Sequence, residues 1–165
     1  MLPGNRGKAI AWELAQLGVK VVLNGRDSER LENAKIEFLD KGFKVDTFVA
    51  DIRLQDECRF LVDEVISVHG QLDILVNNAG ITKDSVFRKM TPEQWKAVID
   101  TNLNSLFNVT KQVVADMVEK GWGRIINISS VNGQKGQMGQ VNYSTAKAGM
   151  HGFTMALAQE VASKG

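Results

Sequence analysis

Short apolar runs, each too brief for a helix, alternate with amphipathic segments along the chain, and this alternation constrains the fold more than any other feature. The runs are Lys20–Leu23, Lys44–Ala50, Leu72–Val76 and Arg124–Ile128. Their apolar residues fill both faces, as in strands covered on two sides. Between them the spacing changes to that of a helix. Ile10, Leu14 and Leu17 define one helix over Lys8–Leu17, ended by Gly18. Ser28 is the expected N-cap of a second, which runs through Leu31, Ala34, Ile36, Phe38 and Leu39 and stops at Gly42. The third covers Gln55–His69, with Cys58, Leu61, Val62, Val65 and Val68 on one stripe before Gly70. Thr91-Pro92-Glu93-Gln94 combines an N-cap, a proline at the first helical position and a glutamine two residues on, and opens a helix predicted to reach Glu119. A Gly- and Gln-rich loop from Asn132 to Gln140 precedes a last helix over Asn142–Ala162. Strands and helices in strict alternation, joined by right-handed crossovers, predict an α/β fold with a doubly wound parallel sheet.

Composition narrows the possible functions. The 165 residues carry 20 basic and 19 acidic side chains, and 44% are hydrophobic, which fits one globular domain and excludes a disordered chain. A net charge of +1 offers no basic surface for nucleic acid. No run of about 18 apolar residues is present, so no membrane partner is expected. Cys58 is the single cysteine, which rules out an intrachain disulfide and points to a reducing cytoplasm. The expected partner is a small molecule or another protein.

Doubly wound sheets bind ligands beyond the carboxyl ends of their strands. Polar residues collect there: Asn24-Gly25-Arg26, Asp51, Asn77-Asn78-Ala79-Gly80 and Ser129-Ser130 each follow an apolar run directly. Tyr143 is the only tyrosine, and Lys147 lies four residues on, so a helix presents both on one face. On spacing alone the pair reads better as a surface tyrosine beside a solvated lysine. Ser130, which closes a strand before the loop that leads to Tyr143, favours a pocket. A phenol with a pKa of about 10 donates a proton at neutral pH only when a nearby cation stabilises the phenolate, and Lys147 is placed to do so. A hydroxyl such as that of Ser130 can donate a hydrogen bond to a carbonyl oxygen on which charge develops. The three groups suit carbonyl reduction by a nicotinamide hydride.

At these residues the sequence resembles the short-chain dehydrogenases/reductases. The resemblance rests on Asp51, Asn77-Asn78-Ala79-Gly80, Asn102 within Thr101-Asn102-Leu103, Ser130, and Tyr143-Ser144-Thr145-Ala146-Lys147. It implies a single Rossmann-like NAD(P)-binding domain over residues 1–165, with Ser130, Tyr143 and Lys147 catalytic and Asn102 supporting a proton relay to the lysine. It further implies that Lys147 holds the nicotinamide ribose, that Asp51 and Ile52 contact adenine, and that Asn77, Asn78, Ala79 and Gly80 line the adenosine side. Within the family the likeness is to reductases of 3-oxoacyl thioesters such as acetoacetyl-CoA, carried on coenzyme A or on acyl carrier protein. Asp84, Gln137, Met138 and Gln140 then lie on the substrate side. The helices Pro92–Glu119 and Asn142–Ala162 resemble a subunit interface, which implies a homo-oligomer.

Two further expectations come from departures and from charge. The family's glycine-rich fingerprint is reduced to Gly4-Asn5-Arg6-Gly7, and the strand before it and the strands after residue 165 have no counterpart. The sequence therefore reads as an incomplete domain that lacks its central first strand. NAD-preferring enzymes offer a carboxylate to the ribose at the end of the second strand, whereas a 2′-phosphate requires a cation. Here Arg26 occupies that turn and Arg6 adds a second positive charge, so NADPH is the expected cofactor. The competing readings are an alcohol dehydrogenase working in the oxidative direction, and a non-catalytic chain acting only through association.

Overall fold

The computed structural model describes residues 5–165. Helix α1 (Asn5–Gln16) leads into strand β1 (Val21–Gly25), α2 (Ser28–Leu39), β2 (Val45–Val49), α3 (Gln55–His69) and β3 (Ile74–Asn77). Then come α4 (Pro92–Ile99), α5 (Ser105–Lys120), β4 (Arg124–Asn127), the short α6 (Asn132–Lys135) and the long α7 (Val141–Val161). The strands are parallel, as expected, and they form two separate pairs. β1 pairs with β2 in the register Val21 to Val45, and β3 pairs with β4 in the register Ile74 to Arg124.

The pleat of β1 shows how layers cover both faces. Val21 and Leu23 point into a core with Ala11 and Ala15 of α1 and Leu31, Ala34 and Phe38 of α2. Val22 points the other way, against Leu61 and Val65 of α3. Leu31 and Phe38 are each 1% exposed, and complete burial of such a side chain contributes about 1.5–3 kcal/mol. Trp12 closes this core, tilted on Phe38 and edge-on to Phe43 at 5.4 and 4.9 Å between ring centroids. The adjacent flank of α3 places Val62 in a further core with Val113 and Met117 of α5, on which Leu75 of β3 and Ile125 of β4 pack. Helix α3 thus spans both strand pairs.

Several boundaries differ from expectation. Asp27, not Ser28, caps α2, its carboxylate accepting from the Arg30 N–H at 3.0 Å. Leu17, just past the end of α1, is exposed, as are Ile36 and Leu39 of α2 and Val68 near the end of α3. The box at Thr91 forms as expected, with the Gln94 N–H donating to Thr91 Oγ1 and the Thr91 N–H to Gln94 Oε1. The helix it opens does not run unbroken to Glu119: a π-turn over Asp100–Asn104 separates α4 from α5. The loop after Asn132 begins with α6.

Candidate active site

The carboxyl ends of the strands meet at one edge of the molecule, and α5 links them. Asn108 donates its amide to the carbonyls of Ile52 and Arg53, just past β2, at 3.1 and 3.0 Å. Two residues on, Thr110 accepts from the Asn77 amide at the end of β3 at 3.3 Å, and Asn77 also donates to Asn127 of β4 at 2.9 Å. The Asn24 amide reaches the carbonyls of Phe48 and Ala50. Asn77 is thus committed to knitting the sheet, while Asn78 and Ala79 beyond it turn into a cavity that Gly7 also lines.

The π-turn has a clear effect on Asn102. The side chain, 1% exposed, accepts from the Ile81 N–H at 2.8 Å and donates to the Ile81 carbonyl at 2.9 Å. That pair of bonds holds the chain after β3 against α4 and α5. It also fixes Gly80, where an added Cβ would lie 3.6 Å from Asn102 Oδ1 and 3.7 Å from Lys147 Nζ. Gly80, Asn102 and Lys147 therefore converge on one point.

Lys147 is 3% exposed, and its ammonium donates to the Ile128 carbonyl at 2.6 Å. Burial, assisted by the positive charge of Arg6, lowers its pKa to about 8. Its Nζ lies 5.9 Å from the centroid of the Tyr143 ring, one helical turn back. Ser129 donates its hydroxyl to the Lys147 carbonyl at 3.0 Å, which ties the end of β4 to α7. Ser130, the next residue, accepts from the Asn132 N–H at 3.2 Å. Helix α6 then packs on α7 so closely that a Cβ on Gly133 would lie 2.7 Å from the Lys147 carbonyl carbon.

The loop toward α7 is held from the side. Gln140 donates to Asp84 and accepts from Asn132, both at 2.8 Å, and the Ser85 N–H donates to the Gly139 carbonyl at 2.8 Å. Gln137 is exposed, and Met138 is 88% exposed. Asn132 and Asn142 are positioning residues that sequence reasoning missed. Asn142 is fully buried and donates to the carbonyls of Lys83 and Gln94 while accepting from the Tyr143 N–H at 2.8 Å. The asparagine directly before the tyrosine was the one signal in the sequence, but its backbone-carbonyl partners lie more than 45 residues away.

A second cluster forms at the ends of β1 and β2. Asp51 accepts from Arg53 Nε through both oxygens at 2.9 and 3.0 Å, which holds its carboxyl below the usual range. Arg26 lies 3.7 Å from the same carboxylate, beyond hydrogen-bond distance, with its side chain 44% exposed. Ile52 packs beside them. Arg6 and Gly7 stand in the first turn of α1; Gly4 lies outside the described residues.

The sequence profile named short chain dehydrogenase matches residues 6–165. The chain belongs to this family. Among curated short chain dehydrogenases it is 57% identical over 163 residues to an acetoacetyl-CoA reductase of Cupriavidus necator, covering 98% of this chain and 66% of that protein. It is 52% identical to nodulation protein G of Azospirillum brasilense, with the same coverage. A 3-oxoacyl-[acyl-carrier-protein] reductase of Chlamydia muridarum is 42% identical, over 96% of this chain and 64% of the other. The chain thus spans about two thirds of the length of these relatives. A crystal structure of a metagenomic short-chain oxidoreductase in complex with NADP superposes with a TM-score of 0.90 at 31% identity, covering 96% of this chain and 72% of that one.

The residues present fit a nicotinamide dinucleotide. The ammonium of Lys147, 3.7 Å from the position of a Cβ on Gly80, suits a ribose hydroxyl, and the exposed guanidinium of Arg26 suits a phosphate. Among the described residues no helix is long and apolar enough to cross a membrane.

Proposed function

We propose that the protein is an NADPH-dependent reductase that converts a 3-oxoacyl thioester, acetoacetyl-CoA in the first instance, to the 3-hydroxyacyl thioester. The convergence of Lys147, Asn102 and Gly80 one helical turn from Tyr143 carries this reading. Names of relatives at 57% and 42% identity supply the substrate class, and the second keeps an acyl-carrier-protein thioester as the alternative.

In this reading Lys147 and the Gly80 backbone hold the nicotinamide ribose, and Arg26 holds the 2′-phosphate, with Arg6 and Gly7 toward the pyrophosphate. Asp51 and Ile52 flank adenine, and Asn78 and Ala79 line the adenosine side; Asn77 acts by anchoring that turn. When bound, the cofactor supplies the hydride. Ser130 donates a hydrogen bond to the substrate carbonyl oxygen and Tyr143 transfers its phenolic proton to the same oxygen. The ammonium of Lys147 lowers the cost of the phenolate that remains. Asn102 keeps its amide on Ile81 and so fixes the floor under Lys147. Asp84, Gln137, Met138 and Gln140 form the substrate side, with Asp84 and Gln140 already bonded to each other. Exposed Trp95, Phe107 and Met155 on α4, α5 and α7 favour subunit association through those helices.

The test follows NADPH absorbance with acetoacetyl-CoA, using the 165-residue chain and its Tyr143→Phe variant. Substrate-dependent oxidation of NADPH that Tyr143→Phe abolishes is the expected result. No turnover by the chain would overturn catalysis by it, and unchanged turnover in the variant would overturn Tyr143 as the acid.

A further inference from the structure

Past the ends of β1 and β2 two arginines meet one carboxylate. Arg53 clasps Asp51: its Nε lies 2.9 and 3.0 Å from the two oxygens, its Nη2 donates to Oδ2, and its backbone N–H donates to Oδ1 at 3.1 Å. Arg26 faces the same Oδ2 at 3.7 Å, beyond hydrogen-bond distance. The Asp51 side chain is 15% exposed, against 39% for Arg53 and 44% for Arg26, so the two guanidinium groups compete for an enclosed carboxylate from its rim.

Arg53 holds the carboxylate because its own backbone is fixed. Asn108 donates to the carbonyls of Ile52 and Arg53, and the Cys58 thiol donates to the Ile52 carbonyl at 3.4 Å. Glu57 accepts from the Asp51 N–H at 2.6 Å and so places a second carboxylate behind the first. Asp100, paired with Lys96, adds its attraction to Arg53. Arg26 lies in the short turn between β1 and α2, where its neighbour Asp27 is committed to capping α2.

The charges give this arrangement a consequence. With Arg53 in place, Asp51 and the two arginines carry one positive charge in excess, and the donors of Arg26 stay free. Without the Arg53 side chain the excess disappears, and Arg26 stands nearest to the bared carboxylate. A carboxylate at that distance both occupies the guanidinium and repels a phosphate brought beside it.

We propose that Arg53 is a positioning residue that sets the preference for a 2′-phosphorylated cofactor: by neutralising Asp51 it keeps Arg26 free for the phosphate, without touching the phosphate itself. The inference rests on the reading of Arg26 as the residue that holds the 2′-phosphate, and makes that role conditional on Arg53. An ion pair with one partner this exposed contributes little to folding, so its effect is on the state of Arg26.

Titration calorimetry of the whole chain with NADPH and with NADH tests this, and reads no turnover. Arg53→Gln should lower the preference for NADPH by roughly tenfold, as for the loss of one charge-assisted hydrogen bond, and leave NADH binding unchanged. Adding Asp51→Asn to Arg53→Gln removes the bared charge and should restore the preference to within about threefold of the unsubstituted chain. A merely structural role would weaken both cofactors alike and gain nothing from Asp51→Asn. Either of those results overturns the proposal, as does an unchanged preference in Arg53→Gln. An unsubstituted chain that binds NADPH no better than NADH overturns the reading of Arg26, and this inference with it.

Discussion

Lys147 carries a charge where burial opposes it, and this makes its titration visible in stability. Its pKa falls from 10.5 to about 8 in the folded state, so between these values the unfolded chain binds more protons than the folded one. Stability therefore rises as pH goes from about 8 to 10.5, by about 3 kcal/mol at 1.36 kcal/mol per unit, and is lost again as pH falls through 8. Denaturant midpoints across that range should show the rise, and Lys147→Met should flatten it. Arg26 is the second residue with a measurable signature. Asp51 is already held by Arg53, which leaves the Arg26 guanidinium available to a phosphate. Arg26→Glu should weaken NADPH binding by about 10–100-fold, the range of a charge-assisted bond of about 1.5–3 kcal/mol, and should spare NADH. Titration calorimetry with both cofactors checks this, and equal losses for the two would remove Arg26 from the 2′-phosphate. The Tyr143 and Lys147 pair was legible because a helix makes a spacing of four into a shared face. Asn132 and Asn142 were not, since they act on Gln140 and on the backbone of Lys83 and Gln94, and no local spacing encodes such partners.

At the scale of elements, α7 offers a paired comparison of two glycines in helices. Gly133 in α6 faces backbone: a Cβ there would lie 2.7 and 2.9 Å from main-chain atoms of Lys147 and Ala148, which cannot move without shifting α7. Gly152 in α7 faces open space, with nothing within 4 Å of the added carbon. Gly133→Ala should destabilise by about 1–3 kcal/mol and displace Ser130 and Lys147 relative to each other, because overpacking against backbone is relieved only by movement. Gly152→Ala should stabilise by about 0.5–1 kcal/mol through helix propensity alone. Urea denaturation of both variants tests the sign, and two changes of the same sign would contradict the packing described. The extents of α3 and of the box at Thr91 were readable from periodicity and capping chemistry. The π-turn at Asp100–Asn104 was not, because the helical pattern continues past it and the widened turn serves the Asn102 contact with Ile81 rather than the helix itself.

The parallel direction of the strands was legible from the order of the elements, whereas the way the two strand pairs are held together was not. Beyond hydrogen bonds such as those from Asn108, that role falls to α3, whose successive residues Leu61 and Val62 belong to different cores. Leu61 packs with Ala50 and Val65 against β1 and β2, and Val62 packs with Val113 and Met117 against β3 and β4. Among the described residues no strand bridges β1 and β3, so the two halves communicate through fewer contacts than a continuous sheet provides, and their unfolding should separate when one side is weakened. Trp12 reports the first half, enclosed by Phe38 and Phe43, and Trp122 reports the second, flanked by Lys120 and Arg124 just before β4. In chains whose sole tryptophan is Trp12 or Trp122, with Trp95 also replaced, Leu61→Ala should lower the stability read at Trp12 by about 2–5 kcal/mol and change that read at Trp122 by much less. Coincident shifts at both sites would mean that α3 locks the halves into one cooperative unit. In that case the gap between β1 and β3 would be a rigid opening rather than a seam along which the molecule parts.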